Sequence, residues 1–175
     1  MSRPGRPTAE KIVAPAALVE AVSAGRAAGR TVVFTNGCFD LLHVGHLRLL
    51  ERAAGLGDLL VVGLNGDRSV RLLKGPGRPF VPFDERAELL AGFDVVDWVV
   101  GFEEDDPAGL VRLVLPDVLV KGGDWSPDRI VGKDTVEGRG GRVVSLPLAP
   151  GRSTTGLVER IRSSRPTDGE GDDPR

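Results

Sequence analysis

Short apolar runs and segments of helical period take turns along this chain, and that alternation restricts its fold more than any other feature. "TVVFT" (31–35), "DLLVVGL" (58–64), "VVDWVV" (95–100), "DVLV" (117–120) and "RVVSL" (142–146) have strand length and are rich in β-branched residues. Between them lie helix-like stretches. "GHLRLLERAAG" sets Leu47, Leu50 and Ala54 on one face, and "DERAELLAGF" (84–93) opens with acids that suit a positive helix end. "DDPAGLVRLVL" offers Asp106 as N-cap and Pro107 as first helical residue, and "STTGLVERIR" closes the series. A further helix, "AALVEAVSAGRAAG", comes before the first strand. Strands separated by helices imply right-handed crossovers and a parallel sheet buried on both sides.

The fold class expected is therefore α/β, a Rossmann-like open parallel five-stranded sheet with helices on both faces. Its length of 175 residues suits one domain over 11–163. Residues 1–10 and the acidic stretch 164–175 lack large apolar side chains in number and read as disordered tails. The formal net charge of −2 gives no bulk attraction to nucleic acid or anionic membrane. A single cysteine, Cys38, excludes an internal disulfide and a multi-cysteine zinc module. No run reaches membrane-spanning length and the first residues carry no apolar signal core, so a cytoplasmic enzyme or binding domain is expected.

Ligands of such sheets sit beyond the carboxyl ends of the strands. There the sequence places "NGCFDLLHVGH" (36–46), "NGD" (65–67), "KGGDW" (121–125) and "GRSTT" (151–155), all polar and most glycine-rich. The first contains both histidines of the chain, His43 and His46. As metal ligands they lack partners, since a transition metal wants three or four and only carboxylates such as Asp40 remain. A plain helix start would leave Asn36, Gly37, Asp40 and Gly45 unexplained. A phosphate site explains more: a helix start offers unpaired N–H groups and a positive dipole end to an anion. Gly45 lets a nucleotide approach the backbone, and two imidazoles flank the opening. A bound triphosphate is expected to draw them towards the cation.

"NGCFDLLHVGH" resembles the HxGH signature of the nucleotidyltransferase superfamily, and "GRSTT" resembles its second signature at the start of the last helix. Within that superfamily, "VDWVVGFEEDDP" (96–107), "PDVLVKGGDW" (116–125) and "STTGLVERI" (153–161) are most similar to the heptose 1-phosphate adenylyltransferase group. The resemblance implies adenylyl transfer from ATP, with Mg2+, to D-glycero-β-D-manno-heptose 1-phosphate, giving ADP-heptose and pyrophosphate. It also implies a homodimer, a place in lipopolysaccharide or other glycan synthesis, and a separate sugar kinase, for which this chain is too short. Related transferases acting on glycerol phosphate, ethanolamine phosphate or another sugar phosphate, with CTP or ATP, are the alternative. A nucleotide-binding regulatory module without catalysis is the alternative of another class.

By the same resemblance His43 and His46 contact the ATP phosphates as catalytic groups, helped by Lys74 in the loop "LLKGPGRP". Thr35, Asn36, Gly37, Cys38, Phe39, Asp40 and Gly45 shape the nucleotide pocket. Arg152, Ser153, Thr154 and Thr155 donate to the β- and γ-phosphates. Lys121, Gly122 and Asp124 are assigned to the nucleotide, because a charged pair ending a buried strand is expensive without a partner. Asn65, Asp67, Lys74, Arg78 and Arg86 are candidates for the sugar phosphate. For Asn65 and Asp67 the alternative is a tight turn, and for Arg86 an ion pair with a nearby acid. No metal-ligating residues are assigned.

Overall fold

The computed structural model describes residues 6–123, 125–147 and 154–164. Five strands, β1 (Val32–Gly37), β2 (Leu59–Asn65), β3 (Trp98–Phe102), β4 (Val118–Gly122) and β5 (Arg142–Leu146), form one sheet in the order β3-β2-β1-β4-β5. Every pairing is parallel, with Val32 opposite Leu59 and Val33 opposite Val118. The helices are α1 (Thr8–Lys11), α2 (Pro15–Ala27), α3 (Val44–Ala54), α4 (Asp67–Lys74), α5 (Phe83–Ala91), α6 (Ala108–Val114), α7 (Lys133–Glu137) and α8 (Thr154–Ser163).

Alternation along the central strands sends neighbouring side chains into two separate cores. Val33, Leu60, Val62 and Val99 pack with Leu50 of α3 and Leu90 of α5. Val32, Phe34, Val61 and Val100 pack with Leu18 and Val22 of α2 and Val111 of α6. Sheet strands apolar on both sides produce the continuous runs seen in the sequence. β2 packs closely on its neighbours at Gly63: a Cβ there would lie 2.7 Å from the Phe34 ring and 3.1 Å from Leu110.

Departures from the expected elements have local causes. Asp97 accepts from Leu60 N–H through its carboxylate, which displaces the start of β3 from Val95 to Trp98. Asp106 does cap α6, accepting from Ala108 N–H at 2.8 Å, although Pro107 occupies the N-cap position. Residues 67–74, expected as turn and loop, form α4, so Lys74 ends a helix instead of riding a loop. Of the stretch 1–10 read as a tail, residues 8–10 belong to α1 and Arg6 makes contacts, while Lys11 and Ile12 stand at the expected start of the domain. Arg6 lies over the Trp98 ring, Lys11 is buried and donates to Phe93 O, and Ile12 bridges to Val99.

Replacing Gly63 with alanine forces a methyl group into the Phe34 and Leu110 contact and is expected to destabilise the domain by about 1–3 kcal/mol. A lowered urea midpoint with unchanged slope is the measurement; an unchanged midpoint contradicts this packing.

Candidate active site

α3 begins at the carboxyl end of β1, and its two histidines cap it together. His43 is the N-cap residue; its Nδ1 accepts from Gly45 N–H at 3.1 Å, while His43 N–H donates to Nδ1 of His46 at 3.3 Å. This is the reciprocal logic of a capping box, built from imidazoles where hydroxyl and carboxylate are usual. The rings stack with centroids 4.0 Å apart, and Phe39 lies against His46 at 5.3 Å. Because each Nδ1 accepts a hydrogen bond, the proton of each neutral ring belongs on Nε2.

Without a bound anion, this arrangement disfavours a charge on His46. Burial first, then the neighbouring His43, lowers the His46 pKa from 6.5 to about 4, with Asp40 acting the other way. A cation there would also set an N–H against the His43 N–H. His46 is therefore a neutral Nε2–H donor at physiological pH.

The loop before the pair is held from several sides. Phe39 and Leu41 adopt left-handed backbone angles, φ 46° and 51°, which side chains other than glycine rarely take. The buried Asp40 carboxylate accepts from Arg78 at 2.6 Å, from Phe80 N–H at 2.9 Å and from Val81 N–H at 3.0 Å. It thus anchors the 75–82 segment, and Arg78 is committed to an ion pair and to the Phe80 ring. The Thr154 hydroxyl donates to Asp40 O at 2.9 Å, so the start of α8 rests on the same loop as the histidines. Thr155 beside it is exposed; Asp124, Arg152 and Ser153 lie outside the described residues.

Arg86 is placed differently from its sequence assignment. It is fully buried, and donates to Val81 O (2.9 Å), Cys38 O (2.6 Å), Asn65 O (2.9 Å) and the Asp67 carboxylate (2.7 Å). Its guanidinium is used inside the protein, and the ion pair with a nearby acid is the reading that the geometry takes up. Asn65 is buried and donates to the Ser69 hydroxyl. Asp67 is partly exposed beside Arg86.

On the other side of β1, Lys121 donates to the Asn36 side chain at 3.1 Å. Burial lowers the Lys121 pKa and raises that of the Cys38 thiol; the field of Lys74 acts on both, and those of Lys121 and Arg86 also reach Cys38. Lys74, exposed at the end of α4, therefore shares a field with Cys38 and Lys121. Thr35 is buried, its hydroxyl without a hydrogen-bond partner among the described residues. Gly37 abuts the Phe39 ring, and Gly122 ends β4 beside β5. The amides of Phe80 and Val81 are site elements that sequence reading missed; nothing local marks them, because their acceptor is 40 residues away in the chain.

A helix start fitted with two N–H-bearing imidazoles, a hydroxyl-bearing second helix on the same loop and nearby cations defines a nucleotidyltransferase of the HxGH type. The chain belongs to the cytidylyltransferase-like family, which matches residues 34–157. It is 58% identical over 136 residues to the Bifunctional protein HldE of Syntrophotalea carbinolica, covering 78% of this chain and 28% of that protein. With the Bifunctional protein HldE of Vibrio vulnificus it shares 52% over 154 residues, 88% of this chain and 32% of the other. The chain thus spans under a third of the length of these curated relatives. The crystal structure of the lipopolysaccharide core biosynthesis protein from Thermoplasma volcanium superposes with a TM-score of 0.57 at 29% identity, covering 69% of this chain and 97% of that one.

Two expected outcomes follow from the geometry. In an NMR titration His46 holds the Nε2–H tautomer at neutral pH and protonates near pH 4, far below the ordinary 6.5. Since its folded pKa is the lower one, its contribution to stability is complete above pH 6.5 and falls as the pH drops towards 4. A titration midpoint near 6.5 contradicts the capping arrangement. Removing the buried guanidinium in Arg86→Ala leaves three carbonyls without a donor and is expected to destabilise by roughly 3–5 kcal/mol. Asp67→Asn, at the partly exposed end of the pair, costs about 1 kcal/mol or less. Equal losses in chemical denaturation of the two variants contradict that ranking.

Proposed function

We propose that the protein transfers the adenylyl group of ATP to D-glycero-β-D-manno-heptose 1-phosphate, forming ADP-heptose and pyrophosphate. The observation that carries the reading is the Thr154–Asp40 hydrogen bond, which brings two helix starts together around the histidine loop. The names of the HldE relatives and of the lipopolysaccharide core biosynthesis neighbour support the assignment to heptose chemistry.

In the reaction an anionic oxygen of the sugar phosphate attacks the α-phosphorus of ATP, the bond to the β-phosphate oxygen breaks, and pyrophosphate leaves. The nucleophile is already ionised, so alignment and charge neutralisation are the main demands. His43 and His46 donate from Nε2 to phosphate oxygens, and the start of α3 adds its dipole. Being neutral, His46 supplies a directed hydrogen bond without competing for the proton of a substrate. Lys74 and Lys121 supply positive charge. Arg152, Ser153 and Thr155 are assigned to the β- and γ-phosphates, with the Thr154 hydroxyl joining α8 to the histidine loop, and Thr35 to Phe39 with Gly45, Gly122 and Asp124 to the nucleotide. Asn65, Asp67 and Arg78 border the place of the acceptor, while Arg86 holds that border in position.

Among the described residues no group of three or more His, Cys, Asp or Glu side chains is set to hold a metal. Mg2+ brought with ATP would be held mainly by phosphate oxygens and water, and would supply charge neutralisation at the triphosphate. No described helix is long and apolar enough to cross a membrane; residence in the cytoplasm, assembly as a homodimer and supply of the sugar phosphate by a separate kinase belong to the same proposal.

Pyrophosphate release across a panel of nucleoside triphosphates and phosphorylated acceptors tests it. ATP with the heptose 1-phosphate is expected to give the highest kcat/KM, and His46→Ala to lower turnover about a hundredfold, the usual effect of losing one well-aimed donor. Faster turnover of CTP with glycerol 3-phosphate replaces the assignment with the alternative transferase. Unchanged turnover in His46→Ala removes the histidine from the chemistry.

A further inference from the structure

β3 is an edge strand, and the rest of the protein covers only part of its outer side. Ile12 bridges to Val99 in parallel, and Val13 N–H donates to Val99 O at 3.0 Å. Pro15 then opens α2 and the chain turns away. On the inner side, Phe102 O accepts from Gly66 N–H at 2.8 Å, so Phe102 faces β2. Successive residues of a parallel strand point their N–H and C=O to opposite sides, which sends those of Gly101 outward with those of Val99. No described hydrogen bond uses the two polar groups of Gly101.

A groove of about 540 Å³ runs beside this open segment, walled by Pro15, Phe83, Leu110 and Leu113 with Glu103 and Glu104 on its lip. Leu113 is 41% exposed. Glu103, Glu104, Asp105 and Asp106 follow one another at the end of β3, all exposed, and none takes part in an ion pair among the described residues. Arg68 donates to Glu103 O at 2.9 Å, so one cation faces four acids, and an unpaired strand edge, apolar walls and a net-acidic lip therefore coincide.

We propose that this groove docks an extended basic segment of another protein, which continues along β3 the strand addition begun by Ile12 and Val13. Main-chain hydrogen bonds to Gly101 hold the segment, alternate apolar side chains meet the walls, and lysine or arginine meets the acids. A second copy pairing β3 with β3 would run antiparallel and set residues 96–99, Val-Asp-Trp-Val, opposite the acidic lip, which supplies no run of lysine or arginine there. Residues 165–175 contain Asp168, Glu170, Asp172 and Asp173 and are opposed by like charge. Arg6 lies at Asp97 and Trp98, the opposite end of β3 from the groove.

Fluorescence anisotropy with a labelled short peptide alternating valine and lysine provides the test on the full chain. A saturable rise is expected. Glu103→Lys combined with Glu104→Lys should weaken binding roughly tenfold or more, equivalent to about 1.4 kcal/mol, with pyrophosphate release unchanged. Leu113→Lys should weaken it as well, and stands alone should the double variant fail to fold. The same peptide N-methylated on alternate residues keeps its charge but loses the ladder, and should not bind. No saturable rise, equal binding of the N-methylated peptide, or equal binding by every folded variant overturns the proposal.

Discussion

The Arg86 guanidinium is where the end of β2, the β1–α3 loop and the 75–82 segment meet. A fully buried charge is tolerated only where its donors find acceptors, and this one reaches three carbonyls and a carboxylate. Carbonyls at strand ends need donors because the ladder no longer supplies them. One rigid planar group satisfies several at once, which a lysine with its single point of charge does less well. The site border is thus tied to the sheet through a side chain that meets no solvent. Asp40 does the reciprocal task with acceptors, gathering Arg78 and the Phe80 and Val81 amides. Between them the two side chains hold the histidine loop and the 75–82 segment.

With those loops held, the histidine pair acquires a particular electrical character. Capping uses both Nδ1 atoms, and burial disfavours a charge on His46. In the proposed reaction the imidazoles serve as directional donors, while positive charge is assigned to Lys74, to Lys121 and to the dipole of α3. Separation of the two tasks suits phosphoryl chemistry, in which the attacking oxygen needs no base. Burial lowers the pKa of Lys121 as well, so contact with an anion would stabilise its charged form.

The same sheet has two different edges of use. Its carboxyl edge holds the loops of the site, whereas its lateral edge at β3 is covered by residues 12 and 13 and then left open at Gly101. Acidic residues often blunt an open strand edge against self-association. Here they stand beside apolar walls, a combination that favours a basic strand.

Strand and helix periods were legible because burial imposes them directly: "TVVFT" and "DLLVVGL" had to be internal strands, and β5 falls on residues 142–146 as read. The grouping of "NGCFDLLHVGH", "KGGDW" and the start of the last helix on one edge followed from topology alone, since parallel strands end on the same side. Short elements such as α4 and α7 escaped, since a few turns of helix carry too little periodic signal. The ion pair of Arg86 was among the readings offered, but its carbonyl partners and the role of Asp40 escaped for a deeper reason. Their partners lie between 5 and 48 residues away and are mostly backbone atoms, which every residue type carries alike. Residue types determined the fold class and the chemistry on offer; only the folded chain decided which charged groups face a ligand and which hold the walls, because that choice rests on backbone geometry that no side-chain letter records.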